Sequence, residues 1–237
     1  MFISLSSSNG GNACAVKNSI NMFCKEQSPE KTQFFDWLVC SMKSINEVLE
    51  YKPILFDEPL GYNYVYQNTT IFFKDFDLLI SHHDIVNLND NTINELIDKY
   101  TRRRQRFIDT IKNNNNIFFI RYCTCQYDLD VEEIIKFYHN IRNIKNDLNF
   151  KFILISEDFD LQIPYRLYSM GNFFSINLKN YVTNSENCKN DIKIKELYNE
   201  QLNQAYMLEN WDEYRRINAE QFNHITQSYK CIYDIFG

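Results

Sequence analysis

Short apolar runs, separated by polar turns, predict a buried β-sheet. Several of these runs are continuously apolar, as in strands that are covered on both faces, rather than alternating. They lie at residues 2–7, 62–66, 70–73, 76–81, 117–121, 150–156 and 173–178. The first run leads directly into a loop of small residues, which predicts a sharp turn after the first strand.

Helical periodicity lies between several of these runs. Residues 41–50 predict a short helix, and the capping box Thr92–Glu95 precedes apolar positions that share one helical face as far as Ile111. Residues 130–148 predict an amphipathic helix whose leading aspartate is followed three positions later by a glutamate, which repeats the cap pattern. Since short connections join strand, helix and strand across 117–156, this stretch predicts a right-handed parallel unit.

The order of these elements predicts an α/β fold, with a layered, largely parallel sheet flanked by helices and a C-terminal helical extension. Residues 191–209 and 211–236 both carry helical periodicity. We therefore expect residues 1–188 to form one α/β domain that carries the functional site. Residues 189–237 are expected to form a helical extension packed on the same domain.

Composition narrows the function classes. The chain of 237 residues has 31 acidic and 25 basic side chains and a net charge of −6, which argues against a chain-wide nucleic-acid surface. No apolar run reaches the roughly 18 residues of a membrane-spanning helix, and no secretory leader is evident. We expect a cytoplasmic protein whose seven cysteines are free thiols. Abundant Phe, Tyr and Asn are typical of a viral or other AT-rich genome.

Cys14 is a candidate nucleophile. Asn12 is a plausible N-cap, so Cys14 would lie in the first turn of a helix, where the helix dipole and unpaired N–H groups favour the thiolate. The preceding Gly10 and Gly11 could bring N–H groups to an oxyanion. Two alternatives stay open: a buried structural thiol, and a phosphate-binding turn formed by Ser8–Asn12.

Two histidines at the end of a predicted strand, His82 and His83, are the candidate bases for this thiol. If the strand continues, side chains alternate, so Asp84 could orient His82 while His83 would need another carboxylate. Asp36, set in the apolar segment around Phe34–Val39, is one such carboxylate. A turn or cap aspartate is the alternative interpretation of Asp36.

Two arginines in apolar surroundings need an explanation. Arg104 falls within the apolar stripe of its predicted helix, and Arg121 lies in a predicted buried strand. A guanidinium in such a place reaches solvent, pairs with a carboxylate or binds an anion. We therefore retain both as candidate anion-binding residues beside the structural interpretation.

The order of several short motifs resembles a family of uncharacterised bacterial and viral proteins described as papain-like cysteine peptidases. The similarity extends over about residues 3 to 160. The motifs are Ser4-Leu5 through Gly10 to Cys14, Phe35-Asp36-Trp37-Leu38-Val39, Lys43-Ser44, His83-Asp84, Lys99-Tyr100 with Arg102, Arg103, Arg106 and Phe107, and Phe119-Ile120-Arg121-Tyr122. The resemblance implies that Cys14 is the nucleophile and His83 the base, with Asp36 or Asp84 as the orienting carboxylate.

The expected function is therefore a cysteine hydrolase that acts on a peptide, isopeptide or other acyl bond. It needs no metal and no organic cofactor, and we expect a peptide or protein substrate, no nucleic acid and no membrane. The sequence leaves the oligomeric state open. Two alternatives remain: a Rossmann-like nucleotide or nucleotide-sugar enzyme using the loop Ser8–Asn12, and a non-catalytic interaction protein.

Overall fold

A computed structural model of the chain describes residues 1–8, 16–17, 20, 29, 31–56, 62–63, 68–69, 71–81, 90–123, 126, 129–156 and 161–177. The elements in chain order are β1 (Phe2–Ser4), β2 (Leu38–Cys40), α1 (Met42–Leu49), β3 (Tyr62–Asn63), β4 (Asn68–Thr69), β5 (Ile71–Phe72), β6 (Leu79–Ser81), α2 (Asp90–Asn113), β7 (Asn116–Cys123), α3 (Val131–Ile144), β8 (Asn149–Ser156), α4 (Tyr165–Tyr168) and β9 (Phe173–Asn177). The predicted C-terminal extension, 189–237, lies outside the described residues.

The main sheet has four strands in the order β1-β7-β8-β9, and all three pairings are parallel. In its register, Ser4 lies opposite Ile120, and Cys123 lies opposite Ser156. Helices flank this sheet, so the predicted α/β class with a largely parallel sheet is confirmed. The parallel strand-helix-strand unit predicted across 117–156 is confirmed as β7, α3 and β8.

A second, antiparallel sheet was not predicted from the sequence. It has the order β2-β6-β5, with Leu38 opposite Ser81 and Phe72 opposite Ile80. The predicted runs at 70–73 and 76–81 are confirmed only as the short strands β5 and β6, and β3 and β4 form a separate pair. Three-residue strands such as β2 carry too little periodicity to be assigned from sequence.

Residues beyond β1 join the two sheets. The Leu5 N–H donates to the Ile120 carbonyl at 2.7 Å, and the Tyr122 N–H donates to the Ser6 carbonyl at 3.1 Å, so the chain continues alongside β7. On its other side, the Cys40 N–H donates to the Ser7 carbonyl at 2.9 Å. The extension of β1 therefore lies between β7 and β2 and is hydrogen-bonded to both.

Helix boundaries follow local capping chemistry. The Ser41 side chain accepts a hydrogen bond from the Ser44 N–H and caps α1, and the Asp130 side chain accepts from the Glu133 N–H and caps α3. The predicted cap at Asp130 is confirmed, whereas the Ser41 cap was not predicted. Helix α2 begins at Asp90, two residues before the predicted capping box, so that boundary was wrong.

Aromatic side chains fill the space between the main sheet and the helices. The Phe119 ring on β7 lies 6.4 Å from the Phe107 ring on α2 and 5.1 Å from the Phe137 ring on α3. All three side chains are fully buried. This packing fixes α2 and α3 on one face of the sheet. None of the helices in the described part has the length and hydropathy needed to cross a bilayer.

Candidate active site

The carboxyl end of β1 lies where the order of the strands reverses. The next strand along the chain, β2, lies on one side of the β1 extension and is joined to it by the parallel bridge between Ser7 and Val39. The later strand β7 lies on the other side. Such reversal points, outside the carboxyl ends of parallel strands, are where open α/β sheets place ligands. The loop predicted to carry the oxyanion donors and Cys14 begins at this point.

Backbone geometry at the end of β1 is also unusual. Ser6 adopts a left-handed conformation with a φ of 57°, which side chains other than glycine rarely take. Its N–H donates to the Ser4 hydroxyl at 3.1 Å, and its own hydroxyl donates to the Leu38 carbonyl. These bonds hold the conformation in place, and strained backbone of this kind often occurs at functional sites.

The structure describes only part of the predicted site. Asp36, Arg104 and Arg121 lie within the described residues. The predicted catalytic and loop residues that lie outside them are Gly10, Gly11, Asn12, Cys14, His82, His83 and Asp84. The roles assigned to those residues stay predictions, and the described residues that flank them supply the geometry.

Asp36 is a fully buried carboxylate beside β2. Its Oδ2 lies 3.3 Å from Lys17 Nζ and accepts a hydrogen bond of 2.7 Å from the Gln33 N–H, whereas its Oδ1 has no hydrogen-bond partner among the described residues. Burial raises the pKa of this carboxyl above its ordinary value, while Lys17, the Gln33 amide and the charge of Arg103 oppose the shift. Asp36 therefore combines a fixed position with one unused acceptor atom.

A series of interactions, the first of them a charge effect without direct contact, continues from Asp36 to the end of β6. The charge of Arg103 acts on Asp36, and the Arg103 guanidinium lies 5.2 Å from the centre of the Tyr100 ring. The Tyr100 hydroxyl, whose pKa is raised by burial, is hydrogen-bonded to the side chain of Ser81. Lys17 and Ser81 are thus linked through three intervening side chains.

These interactions matter because Lys17 follows the candidate nucleophile along the chain and Ser81 precedes the candidate base. Lys17 comes three positions after Cys14, and Ser81 comes two positions before His83. The described flanks of the candidate nucleophile and the candidate base are therefore tied to the same carboxylate network.

The two strand ends that lead toward these residues lie at opposite ends of β2. Ser7 forms a parallel bridge with Val39, so the chain after Ser7 runs toward the Cys40 end of β2. Ser81 lies opposite Leu38, at the other end of β2. Since β2 is only three residues long, these ends are about 7 Å apart. The ion pair from Lys17 to Asp36, which precedes Leu38 by two residues, places Lys17 on the Ser81 side.

Arg121 connects three neighbouring segments. Its Nη1 donates to the Leu5 carbonyl at 3.0 Å, and its Nη2 donates to the Cys40 carbonyl at 2.9 Å. The side chain is 1% exposed, and in the described part of the chain its hydrogen-bond acceptors are main-chain oxygens and a thiol rather than a carboxylate. Burial raises the pKa of the Cys40 thiol to about 11, and Arg121 opposes this shift. Anion binding by Arg121 stays a prediction.

Arg104 also contacts main chain and an aromatic ring. Its Nη1 donates to the Lys52 carbonyl at 2.7 Å, and its guanidinium lies 5.2 Å from the centre of the Tyr51 ring. The side chain is partly exposed, and burial lowers its pKa. Contact with the segment that follows α1 therefore occupies one face of this guanidinium, and its anion-binding role stays a prediction.

Sequence reasoning missed Lys17, Tyr100 and Ser81 as parts of the network. A signal existed for Lys17, because it is a charged residue between the apolar positions Val16 and Ile20, both of which are buried. Tyr100 was assigned to the apolar face of its helix, and its hydroxyl gave no separate signal. Within the described residues, no group of three His, Cys, Asp or Glu side chains is close enough to hold a metal ion.

Together, the parallel sheet, the reversal of strand order and the buried polar network define an α/β protein with a candidate site beside β2. Over residues 2–159 the chain matches the family described as "Putative papain-like cysteine peptidase" (DUF1796), and it belongs to this family. No curated protein and no solved structure matches the chain. The motifs quoted above for the resemblance fall inside the matched range.

Proposed function

We propose that the protein is a cysteine hydrolase that acts on a peptide, isopeptide or other acyl bond. Cys14 is the nucleophile and His83 the general base, with His82 as the alternative base. The observation that carries the proposal is the network from Lys17 through Asp36 to Ser81, which brings together the described flanks of both residues. Membership of a family with a peptidase description supports the same reaction class.

The reaction follows from thiol chemistry. His83 takes the proton from the Cys14 thiol, and the thiolate attacks the carbonyl carbon to form a tetrahedral oxyanion. Backbone N–H groups of the loop Gly10–Asn12 and of Cys14 stabilise the oxyanion. The imidazolium then gives its proton to the leaving group, and an acyl-enzyme remains. Water, deprotonated by the same imidazole, attacks this thioester and releases the acid and the free thiol.

Asp36 is suited to orient the base. In the part of the chain that the structure describes, its Oδ1 has no hydrogen-bond partner, and its Oδ2 is held by Lys17 and the Gln33 amide. A fixed carboxylate with one open acceptor supports an interaction with an imidazole N–H, which sets the tautomer and orientation of the ring. Asp84 is the alternative orienting carboxylate.

Alkylation with iodoacetamide at mildly acidic pH tests this proposal. Because ordinary thiols are protonated there, we expect Cys14 to react before the other six cysteines, and Cys14→Ser to abolish the fast phase. His83→Asn should slow the fast phase, whereas His82→Asn should leave it unchanged. Equal labelling of all cysteines, or labelling of Cys123 or Cys125 alone, would contradict the proposal.

The nucleotide-enzyme alternative draws support from the parallel sheet, since its reversal point lies at the start of Ser8–Asn12. It needs at least one of Arg104 and Arg121 to face a phosphate. Arg121 is 1% exposed, so a soluble phosphate would require it to leave its carbonyl partners. Nucleotide binding that is lost in Arg104→Met, with no fast-reacting cysteine, would favour this alternative.

A further inference from the structure

The main sheet has an apolar second face, opposite the face that carries Phe119. Side chains alternate along a strand, so Ile120 points away from α2 and α3, toward which Phe119 points. In the register, Ile120 lies opposite Ile153, and Ile153 lies opposite Phe174, so these three side chains share one face. Ile120 and Ile153 are fully buried, as is Ile155 two positions further along β8, and Phe174 is half-buried. These four side chains define the second face.

The four described helices do not cover the second face. Helices α2 and α3 pack on Phe119, and the Tyr168 ring of α4 lies 5.5 Å from the ring of Phe173, which shares the face of Phe119 in the register. Helix α1 packs on α3, where the Asn46 side chain donates to the Glu133 carbonyl at 2.8 Å. Connections between parallel strands are right-handed, and those from β7 to β8 and from β8 to β9 step in the same direction. Their helices, α3 and α4, therefore lie on the same face.

The second face needs a cover at β8. Parallel sheets are buried on both faces, and Ile153 and Ile155 are fully buried although the described helices lie elsewhere. The segment that contains Lys17 lies beside β2, where Lys17 pairs with Asp36. From β2 to β8 there are three strand spacings, about 14 Å, which exceeds the width of one helix, about 10 Å. A helix that contains Lys17 therefore leaves β8 and β9 to another part of the chain.

Burial along β8 locates this cover. Lys151 points to the second face but is half-buried, and its Nζ lies 5.4 Å from the centre of the Phe118 ring and 5.6 Å from that of Phe174. Further along the strand, Ile153 and Ile155 are fully buried. The cover therefore lies over the carboxyl-terminal part of β8, and Lys151 marks its margin.

Residues 178–237 follow β9, the strand next to β8, and form the longest stretch of chain outside the described residues. We infer that residues 211–236 form a helix that packs on the second face over β8 and β9. The apolar positions on one side of this helix recur at intervals of three and four residues. They are Phe222, Ile225, Tyr229, Ile232 and Phe236.

The dimensions of this apolar stripe fit the strand beneath it. From Phe222 to Phe236 the stripe is about 21 Å long, and the eight-residue strand β8 is about 26 Å long. Residues 178–210 separate β9 from the helix, and a chain of that length reaches any point of the sheet. The occupant of the second face is thus a segment of the same chain, and this inference does not depend on the hydrolase proposal.

Photo-crosslinking in the full chain tests the inference. In the variant Phe174→p-benzoylphenylalanine, irradiation links the side chain to whatever lies against the second face, and mass spectrometry identifies the linked peptide. We expect cross-links to residues 211–236. Mixing with chains labelled with ¹⁵N separates links within one chain from links between two copies. The control variant Tyr165→p-benzoylphenylalanine, at a position 82% exposed on α4, should give no link to 211–236.

Three results of this experiment would overturn the inference. They are cross-links from position 174 to residues 9–28, cross-links from it to a second copy of the chain, and the absence of cross-links to 211–236. Equal linking of residues 211–236 from positions 174 and 165 would count against it as well, because the second face would then have no preference for the segment.

Urea denaturation of two further variants gives a second measurement. Ile225→Ala removes apolar groups from the stripe and should lower the urea midpoint by about 1 M. Gln227→Ala is the matched control, because it lies about 200° away around the same helix and should leave the midpoint unchanged within about 0.2 M. Equal midpoints for Ile225→Ala and the unmodified chain would show that the stripe is not packed on the sheet.

Discussion

The Arg121 guanidinium contacts both the thiol and the carbonyl oxygen of Cys40. The guanidinium Nη1 lies 4.0 Å from the Cys40 sulfur, and Nη2 donates to the Cys40 oxygen at 2.9 Å. The same sulfur lies 3.6 Å from the Leu5 oxygen, which also accepts from Nη1. One buried side chain on β7 therefore binds β2 across the extension of β1, at the point where the two sheets meet.

Replacing Arg121 with Met should destabilise the fold strongly. The substitution removes the guanidinium donor from the buried carbonyls of Leu5 and Cys40 and leaves Leu5 only the weak thiol donor of Cys40, which together costs about 2–4 kcal/mol in the free energy of unfolding. Urea denaturation followed by circular dichroism measures this value. Arg121→Lys should recover only part of it, because one ammonium cannot span both oxygens as the planar fork does. A loss below about 1 kcal/mol would contradict the bridging role.

Arg104 provides the matched control, because it also donates to a main-chain carbonyl but is partly exposed. Arg104→Met should lower the free energy of unfolding by about 1 kcal/mol, since water can reach the Lys52 carbonyl once the guanidinium is gone. The same urea titration compares the two variants directly. Equal losses for Arg104→Met and Arg121→Met would show that burial does not decide the effect.

The native state should lose stability above pH 9 because of Cys40. The pKa of its thiol is raised from 9.0 to about 11, so the unfolded chain releases this proton first as the pH rises. Unfolding is therefore favoured progressively between pH 9 and 11, by about 3 kcal/mol in total. Comparison of wild type with Cys40→Ala at pH 8 and pH 11 isolates this contribution from the buried tyrosines. An equal decline in both proteins would contradict the assignment.

The ion pair of Lys17 and Asp36 should behave as a coupled unit. Asp36→Asn removes the carboxylate charge 3.3 Å from the buried Lys17 ammonium and should destabilise the fold by about 3 kcal/mol. Adding Lys17→Met removes the buried ammonium as well, so the double variant should be more stable than Asp36→Asn alone. A double-mutant cycle by chemical denaturation measures the coupling. Additive effects of the two substitutions would show that the residues act independently.

Lys99 should be an unusually reactive amine. Its pKa of about 8 means that, at pH 8, about half of its amine is unprotonated and can react with an N-hydroxysuccinimide ester. Removing the neighbouring cation with Arg103→Gln should raise the pKa and slow the labelling. Mass spectrometry can follow Lys99 against the exposed Lys112 of the same helix. Slowing that is as large in Arg102→Gln would point to the overall charge of the helix.

The main sheet was predictable because its signals are local. The apolar runs of β7, β8 and β9 are long enough to be recognised, and Asp130 marks the start of α3 by a cap that involves only its near neighbours. Antiparallel pairing of β2 with β6 was not predictable. It depends on residues about forty positions apart, and the three-residue strand β2 carries no pattern of its own.

The candidate site was predictable in its members more than in its contacts. Arg121 was singled out because a charged residue in an apolar segment needs a partner, and Asp36 because it could orient a histidine base. Their partners are set by tertiary structure: Lys17 lies 19 positions from Asp36. Arg121 binds main-chain oxygens, which every residue possesses and which leave no trace in a sequence.

That choice of acceptor has a consequence for how the protein can vary. The guanidinium on β7 donates to the main-chain oxygens of residues 5 and 40, and every amino acid at those two positions has the same acceptor. Substitutions at positions 5 and 40 therefore keep the hydrogen bonds that join the two sheets, provided the new side chain fits the core. The arginine itself has no such latitude, because no other side chain can reach both oxygens with two donors in one plane.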